Sequence, residues 1–315
     1  MRRWQHFDLK ASAGADLILK MAAISSRERN GIIAALVSSA LGGCAGALTR
    51  YVIHAVDPLT LAAFRFGIAF LLVLPIALAV RCRWPQGRDC YGVAALGTLF
   101  FCVFFVLYNT AMEYTTAARG SLALSTLPLA TMVMGSLLGV EALTRRKTLG
   151  VCIAVGGVAL ALATGLAGAP PGAWRGDLVM FGATVIMALY SVWSRAFVAR
   201  SSMLGFLAAG MGFGATASTL LAWGRGGFAV VHDLGPAQWL AVVGIAVLGG
   251  ALSFYLWVYA LERTTPTRVT NTMTINPVSA SLLAAVLIGE PLGLNLVLGI
   301  VAVASGIWIA STAGR

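Results

Sequence analysis

Charge is the scarcest commodity in this chain. Only 10% of its 315 residues are Asp, Glu, Lys or Arg, against roughly 25% in an ordinary soluble domain. With 59% hydrophobic residues and a mean hydropathy of +0.88, the sequence describes a protein whose solvent is lipid. The eleven acids are Asp8, Asp16, Glu28, Asp57, Asp89, Glu113, Glu141, Asp177, Asp233, Glu262 and Glu290. All fall in tails, loops or the ends of apolar runs, and His6, His54 and His232 lie outside those runs. A proton-coupled carrier usually relays charge through intramembrane Asp, Glu or His, so the expectation is a facilitator that moves solute down its own gradient. Cys44, Cys82, Cys90, Cys102 and Cys152 form no CxxC pair and have no His beside them. They signal neither a metal site nor a redox centre and read as small apolar fillers. No GxxxxGK[ST] and no HExxH occurs, which argues against an ATP-driven pump and a metalloprotease. No cofactor, no metal and no enzymatic activity are expected. A membrane-embedded enzyme or signalling scaffold remains the alternative from another class.

What the chain has in quantity is long apolar runs. Ten of them, at 32–49, 58–80, 91–112, 118–140, 149–166, 178–194, 204–223, 239–261, 269–288 and 296–312, approach or exceed the roughly 17 to 25 residues a helix needs to cross a bilayer. They are too long and too evenly apolar for the alternating strands of a barrel. The 36 glycines often stand at small-xxx-small spacing, as Gly135 with Gly139 and Gly210 with Gly214, which suits close helix approach in lipid. Residues 1–30 read as a polar, basic cytoplasmic tail in place of a cleaved leader, and Met21 offers an internal start. If both termini are cytoplasmic, seventeen Lys and Arg lie on that side, and only Arg50, Arg119, Arg175 and Arg225 lie on the other. That asymmetry is the positive-inside rule, and it accounts for the net charge of +11 without nucleic acid. A multi-pass protein of a bacterial inner membrane is the expectation.

The sequence also repeats itself. Ala111, Glu113, Thr115, Thr116, Arg119, Pro128, Glu141, Gly150 and Gly157 match Ala260, Glu262, Thr264, Thr265, Arg268, Pro277, Glu290, Gly299 and Gly306 at a constant spacing of 149. Five spans per repeat is an odd number, so the second half runs upside down relative to the first. Glu141 is followed by Arg145, Arg146 and Lys147, whereas Glu290 is followed by Leu294, Asn295 and Leu296; a cytoplasmic and an external loop should differ in that way. The predicted fold is an all-α integral membrane protein of ten transmembrane helices, built as two inverted five-helix repeats over 31–168 and 176–312. Inverted repeats are characteristic of secondary transporters, since two related bundles can expose one central site to either side.

The run Pro128, Glu141, Gly150, Gly157 and its second occurrence Pro277, Glu290, Gly299, Gly306 resemble the EamA repeat of the drug/metabolite transporter superfamily. Arg65, early in the second span, is similar to that family's placement of an arginine there. The resemblance implies ten helices, cytoplasmic termini and export of small metabolites. Among members the chain resembles most the bacterial exporters of aromatic amino acids, and other neutral amino acids, drugs and nucleotide sugars are the further substrates such carriers take. A small-molecule substrate and the bilayer are the expected partners of a monomer.

Candidate site residues follow from polar and aromatic groups inside the spans. Ser121, Ser125, Thr126 and Pro128 in the fourth span and Thr270, Asn271, Thr272, Thr274, Asn276 and Pro277 in the ninth place polar atoms beside helix-breaking prolines. Intramembrane polar groups need partners, so they either bond back to their own helix or face a wet cavity. Pro128 and Pro277 remove backbone donors and free carbonyls one turn earlier, or simply kink their helices. Tyr108, Asn109, Tyr190, Trp193, Tyr255 and Trp257 could line a pathway, or form the interfacial aromatic belt. Glu141 and Glu290, at helix ends on mirror-related faces, are read as caps or gate contacts. Arg65 either snorkels or attracts a carboxylate.

Overall fold

The computed structural model describes residues 26–139 and 170–290, with parts of 145–157 and 294–305. The predicted N-terminal tail before residue 26, Glu141 and most of the fifth and tenth spans lie outside the described residues. Among the described residues eight helices are long and apolar enough to cross a membrane. They are α1 (Ser26–Val52), α2 (Pro58–Ala79), α3 (Arg88–Tyr114), α4 (Ala117–Leu137), α5 (Ala173–Arg200), α6 (Met203–Gly224), α7 (Pro236–Arg263) and α8 (Arg268–Ile288). These are the first to fourth and sixth to ninth of the predicted spans. The helices outrun the apolar stretches at several ends, as where α5 continues to Arg200, because a helix can carry a polar turn past the hydrocarbon edge. Among the described residues all regular structure is helical.

Local chemistry sets the helix starts. Asp57 caps α2 by accepting from the backbone N–H groups of Leu59 and Thr60, both at 3.1 Å, with Pro58 in the first turn. Ser202 caps α6 through the Gly205 N–H at 3.1 Å. Thr116 accepts from the Arg119 N–H at 3.2 Å at the head of α4. Thr265 accepts from the Arg268 N–H at 3.4 Å at the head of α8. Each of these hydroxyl or carboxylate caps satisfies a backbone donor that a helix start leaves free.

Irregularities recur at matching places. Within α3 the backbone widens to a π-helix over Leu99–Phe104, and within α7 over Ile245–Leu252. The two overlap at the 149-residue spacing. α4 breaks into Ala117–Leu124 and Leu127–Leu137, with Pro128 second in the later piece. α8 tightens to a 3-10 turn over Thr272–Ile275 before resuming at Asn276, with Pro277 again second. A proline at that position costs no intrahelical bond of the new segment, so each proline restarts a helix and does not merely bend one.

Packing is reciprocal between the halves. α1 lies against α7 and α8, while α5 lies against α3 and α4. α2 packs on α6, and α4 on α8. The backbone of Gly97 in α3 meets Gly210 in α6 so closely that a Cβ on Gly97 would strike main-chain atoms; the small residues that permit this are those the spacing of Gly210 and Gly214 anticipates. At the centre Phe66, Phe100, Phe101, Phe104, Phe105, Tyr190, Phe206 and Phe254 form one aromatic core. Leu71, Ile76, Leu240 and Val286 point outward, each more than half exposed, as a surface made for acyl chains requires.

Candidate functional site

A cavity opens between the halves at the level of the π segments. It is lined by Ser38, Ser39 and Gly42 of α1, Arg65 of α2, Phe104, Phe105 and Tyr108 of α3, and Leu124 of α4. From the second half come Met187 of α5, Ser253, Phe254 and Trp257 of α7, and Met273 and Asn276 of α8. The cavity encloses about 40 Å³, room for a few waters and smaller than the roughly 300–1,000 Å³ of a formed ligand site. Among the described residues no carboxylate and no His lines the cavity.

Arg65 is the one formal charge in this lining. It is 3% exposed and stands seven residues into α2, about 10 Å from the helix start at 1.5 Å per residue. Its Nη2 donates to the Gly249 carbonyl at 2.7 Å, and the Phe105 ring lies 4.3 Å from its Cζ. Gly249 belongs to the π stretch of α7 and must be glycine for this approach, since a Cβ there would meet Ala45 and stand 2.9 Å from Arg65 Nη2. The arginine does not snorkel. Its Nε and Nη1 have no hydrogen-bond partner, and neither does Trp257 Nε1 or Asn276 Oδ1. The serines are satisfied: Ser38 bonds to Ser253 O at 2.7 Å, and Ser39 to Thr272 Oγ1 at 2.7 Å.

Of the aromatic and polar residues singled out in the sequence, Tyr108 and Trp257 line this cavity, and Arg65 joins them. Tyr190 stacks on Phe100 with ring centres 4.0 Å apart, inside the aromatic core. Trp193 is 45% exposed on the outer face, and Tyr255 pairs with Tyr259 at 6.3 Å. Asn109 is fully buried, its Nδ2 donating to Pro58 O at 2.9 Å. Ser121 is buried outside the lining. Ser125 bonds back to Leu122 O at 2.6 Å and Thr274 to Asn271 O at 3.0 Å, the self-bonding alternative for hydroxyls beside a proline. Asn271 sits half-buried in the turn before Thr272. Asn276, in the polar run of the ninth span, lines the cavity, as do Ser38 and Ser39, which the sequence did not single out. Asn276 immediately precedes Pro277, and that adjacency was the available signal.

Two ion-pair clusters flank the cavity at opposite ends of α1. At one end Arg119 of α4 pairs with Asp177 of α5 at 2.5 Å, with side chains 10% and 13% exposed, and Thr115 Oγ1 donates to Asp177 Oδ1 at 3.1 Å. At the other, Arg268 of α8 pairs with Glu28 of α1, with side chains 53% and 25% exposed, and Thr264 Oγ1 donates to Glu28 Oε1 at 3.3 Å. Thr115, Arg119 and Asp177 stand 149 residues from Thr264, Arg268 and, in the reverse sense, Glu28. Each cluster therefore ties one half to the other with the same three groups. Glu290 adds to the buried end: its Oε1 accepts from the Ala117 N–H at 3.2 Å and lies 3.8 Å from Arg50 Nε. Burial pushes the Glu290 carboxyl above the ordinary carboxylate range, against the opposing pull of the Ala117 N–H and of Arg50. Arg50 is held by the Met112 carbonyl at 2.7 Å.

Residues 29–163 and 174–312 each match the model of the EamA-like transporter family. A probable terminal-alkyne amino-acid exporter of Streptantibioticus cattleyicolor is 27% identical, the match spanning 78% of this chain and 86% of that protein. The uncharacterized transporter YyaM of Bacillus subtilis is 23% identical over 84% of this chain and 88% of its own. An uncharacterized transporter of Archaeoglobus fulgidus is 25% identical over 85% of this chain and 93% of its own. A solved crystal structure, 24% identical, superposes with a TM-score of 0.66 over 93% of this chain and 99% of its own, a likeness of fold.

Proposed function

The chain belongs to the EamA-like transporter family, as a multi-pass membrane protein, and from that premise we propose that it exports small metabolites, namely aromatic or other neutral amino acids, by alternating access. The reading takes residues 31–168 and 176–312 as inverted five-helix repeats in a bacterial inner membrane, with both termini cytoplasmic and the protein working as a monomer. In this orientation the Arg119–Asp177 cluster faces outward and the Glu28–Arg268 cluster faces the cytoplasm. The observation that carries it is the pair of clusters themselves. Two related gates of the same composition, one buried and one half in solvent, are what a carrier with a fixed central site needs at its two mouths. When one half rocks on the other, the buried pair breaks as the exposed pair tightens.

An amino-acid cargo is supported by the name of the Streptantibioticus relative and by a cavity that combines aromatic walls with a few polar groups. The absence of acids and His from the cavity lining favours a facilitator over a proton-driven carrier. Flux of radiolabelled leucine and phenylalanine into vesicles containing only the purified protein tests both points. Saturable equilibration that an imposed pH gradient does not drive uphill is expected. Accumulation that follows the gradient would overturn the facilitator, and the absence of flux would overturn the transport reading.

A further inference from the structure

We infer that Arg65 is the receptor for the substrate carboxylate, and that the site takes α-amino acids with their carboxylate on Arg65, their ammonium on the Asn276 amide and their side chain against Phe105 and Trp257. The inference rests on the transport reading above and names the chemistry of that same cavity. Its basis is an imbalance. A guanidinium 3% exposed has one hydrogen bond, to Gly249 O, while Nε and Nη1 have none, and no acid lines the cavity. A buried cation without a counter-charge is costly. The Phe105 and Phe66 rings at 4.3 and 5.5 Å offset only part of that cost, since a cation–π contact is weaker than a full counter-charge.

The free atoms define what completes the site. A guanidinium donates to both oxygens of a carboxylate through Nη2 paired with either Nε or Nη1. Gly249 O takes one of the two Nη2 hydrogens, so the other remains to form one such edge with Nε or with Nη1. A second unsatisfied group, Asn276 Oδ1, is 3% exposed at residue level and lines the same cavity from α8. It is an acceptor, suited to an ammonium and not to a second carboxylate. Donors on α2 and an acceptor on α8 thus present opposite polarity from the two halves, which is the polarity of a zwitterion. Phe104, Phe105, Phe254 and Trp257 give the cavity an aromatic wall, and Ser38 and Ser39 beside it already bond to Ser253 O and Thr272 Oγ1, which disfavours a charged side chain. A lipophilic amine lacking a carboxylate would leave the arginine uncompensated and should bind poorly.

The test uses the full chain in proteoliposomes, with labelled phenylalanine and leucine. The competitors are their decarboxylated amines (2-phenylethylamine, 3-methylbutylamine) and their deaminated acids (3-phenylpropionate, 4-methylpentanoate). The acids should compete at least tenfold better than the amines. Arg65→Gln should raise KM for the amino acids tenfold or more with a smaller change in the limiting rate. Arg65→Lys, which keeps the charge and loses the fork, should fall between the two. Asn276→Ala should weaken the amino acids and leave competition by the acids unchanged. Amines competing as well as acids, or an Arg65→Lys protein with unaltered KM, would overturn the assignment while leaving transport standing. An absence of wild-type flux would overturn the amino-acid reading and this assignment with it. Because Arg65→Gln alters a buried site, elution of each variant as a monodisperse species is scored alongside.

Discussion

At the scale of single residues the two ion-pair clusters make unequal demands. Arg119 and Asp177 are nearly out of solvent, whereas Arg268 is half in it. Removing one partner of a buried pair strands the other charge, and an exposed pair contributes only about 0 to 1 kcal/mol. Asp177→Asn is therefore expected to lower the thermal midpoint in detergent markedly, by the equivalent of about 3–5 kcal/mol, and Glu28→Gln to leave it within a degree or two. Equal losses would contradict the asymmetry. Glu290 carries a pH dependence whose sign follows from its raised pKa. The folded protein binds this proton more tightly than the unfolded chain does. Its contribution is therefore fully present below the ordinary carboxylate range and is lost as pH rises through the raised value. Melting temperature should accordingly fall as pH climbs through that window, and Glu290→Gln should flatten the profile and keep the Ala117 contact. A profile that rises across the window, or a variant with the wild-type slope, would contradict this.

At the scale of elements the determining features are the irregular ones. The π stretch of α7 brings Gly249 against Arg65, and the breaks before Pro128 and Pro277 give α4 and α8 separate halves able to tilt. The contact of α3 with α6 depends on bare backbone at Gly97 and Gly210. Gly97→Ala should separate these helices at a cost of about 1–3 kcal/mol, read as a lower melting temperature, whereas Gly67→Ala, with open space around its Cα, should not. Eight of the spans were legible from apolar length alone, because lipid imposes that length. The π stretches were not, since Leu99–Phe104 carries no Gly or Pro to mark it. Hydroxyls at Ser125 and Thr274 look the same in sequence whether they face a cavity or bond back one turn, and here they bond back.

At the scale of the whole molecule the repeat supplies the organisation. Thr115 and Arg119 could be matched with Thr264 and Arg268 by eye, because their surroundings repeat too. Glu28 and Asp177 share the same spacing but lie where the halves have diverged, so their partnership emerged only once the helices were seen packed. Tyr108, Trp257 and Arg65 were legible as candidates from residue type within a span. Asn276 was legible in the same way, as part of the polar run beside Pro277, whereas Ser38 and Ser39, small hydroxyls within an apolar span, were not.

In the proposed transport cycle the two clusters open in alternation. Electron–electron distance measurements on spin labels placed across each end, one pair spanning α4 and α5 beside Arg119 and Asp177 and the other spanning α1 and α8 beside Glu28 and Arg268, test it most directly in a cysteine-free background. Asp177→Asn should lengthen the first distance and shorten the second, and Glu28→Gln should do the reverse. Both distances moving in the same direction, or the second staying fixed when the first opens, would contradict alternating access in this protein.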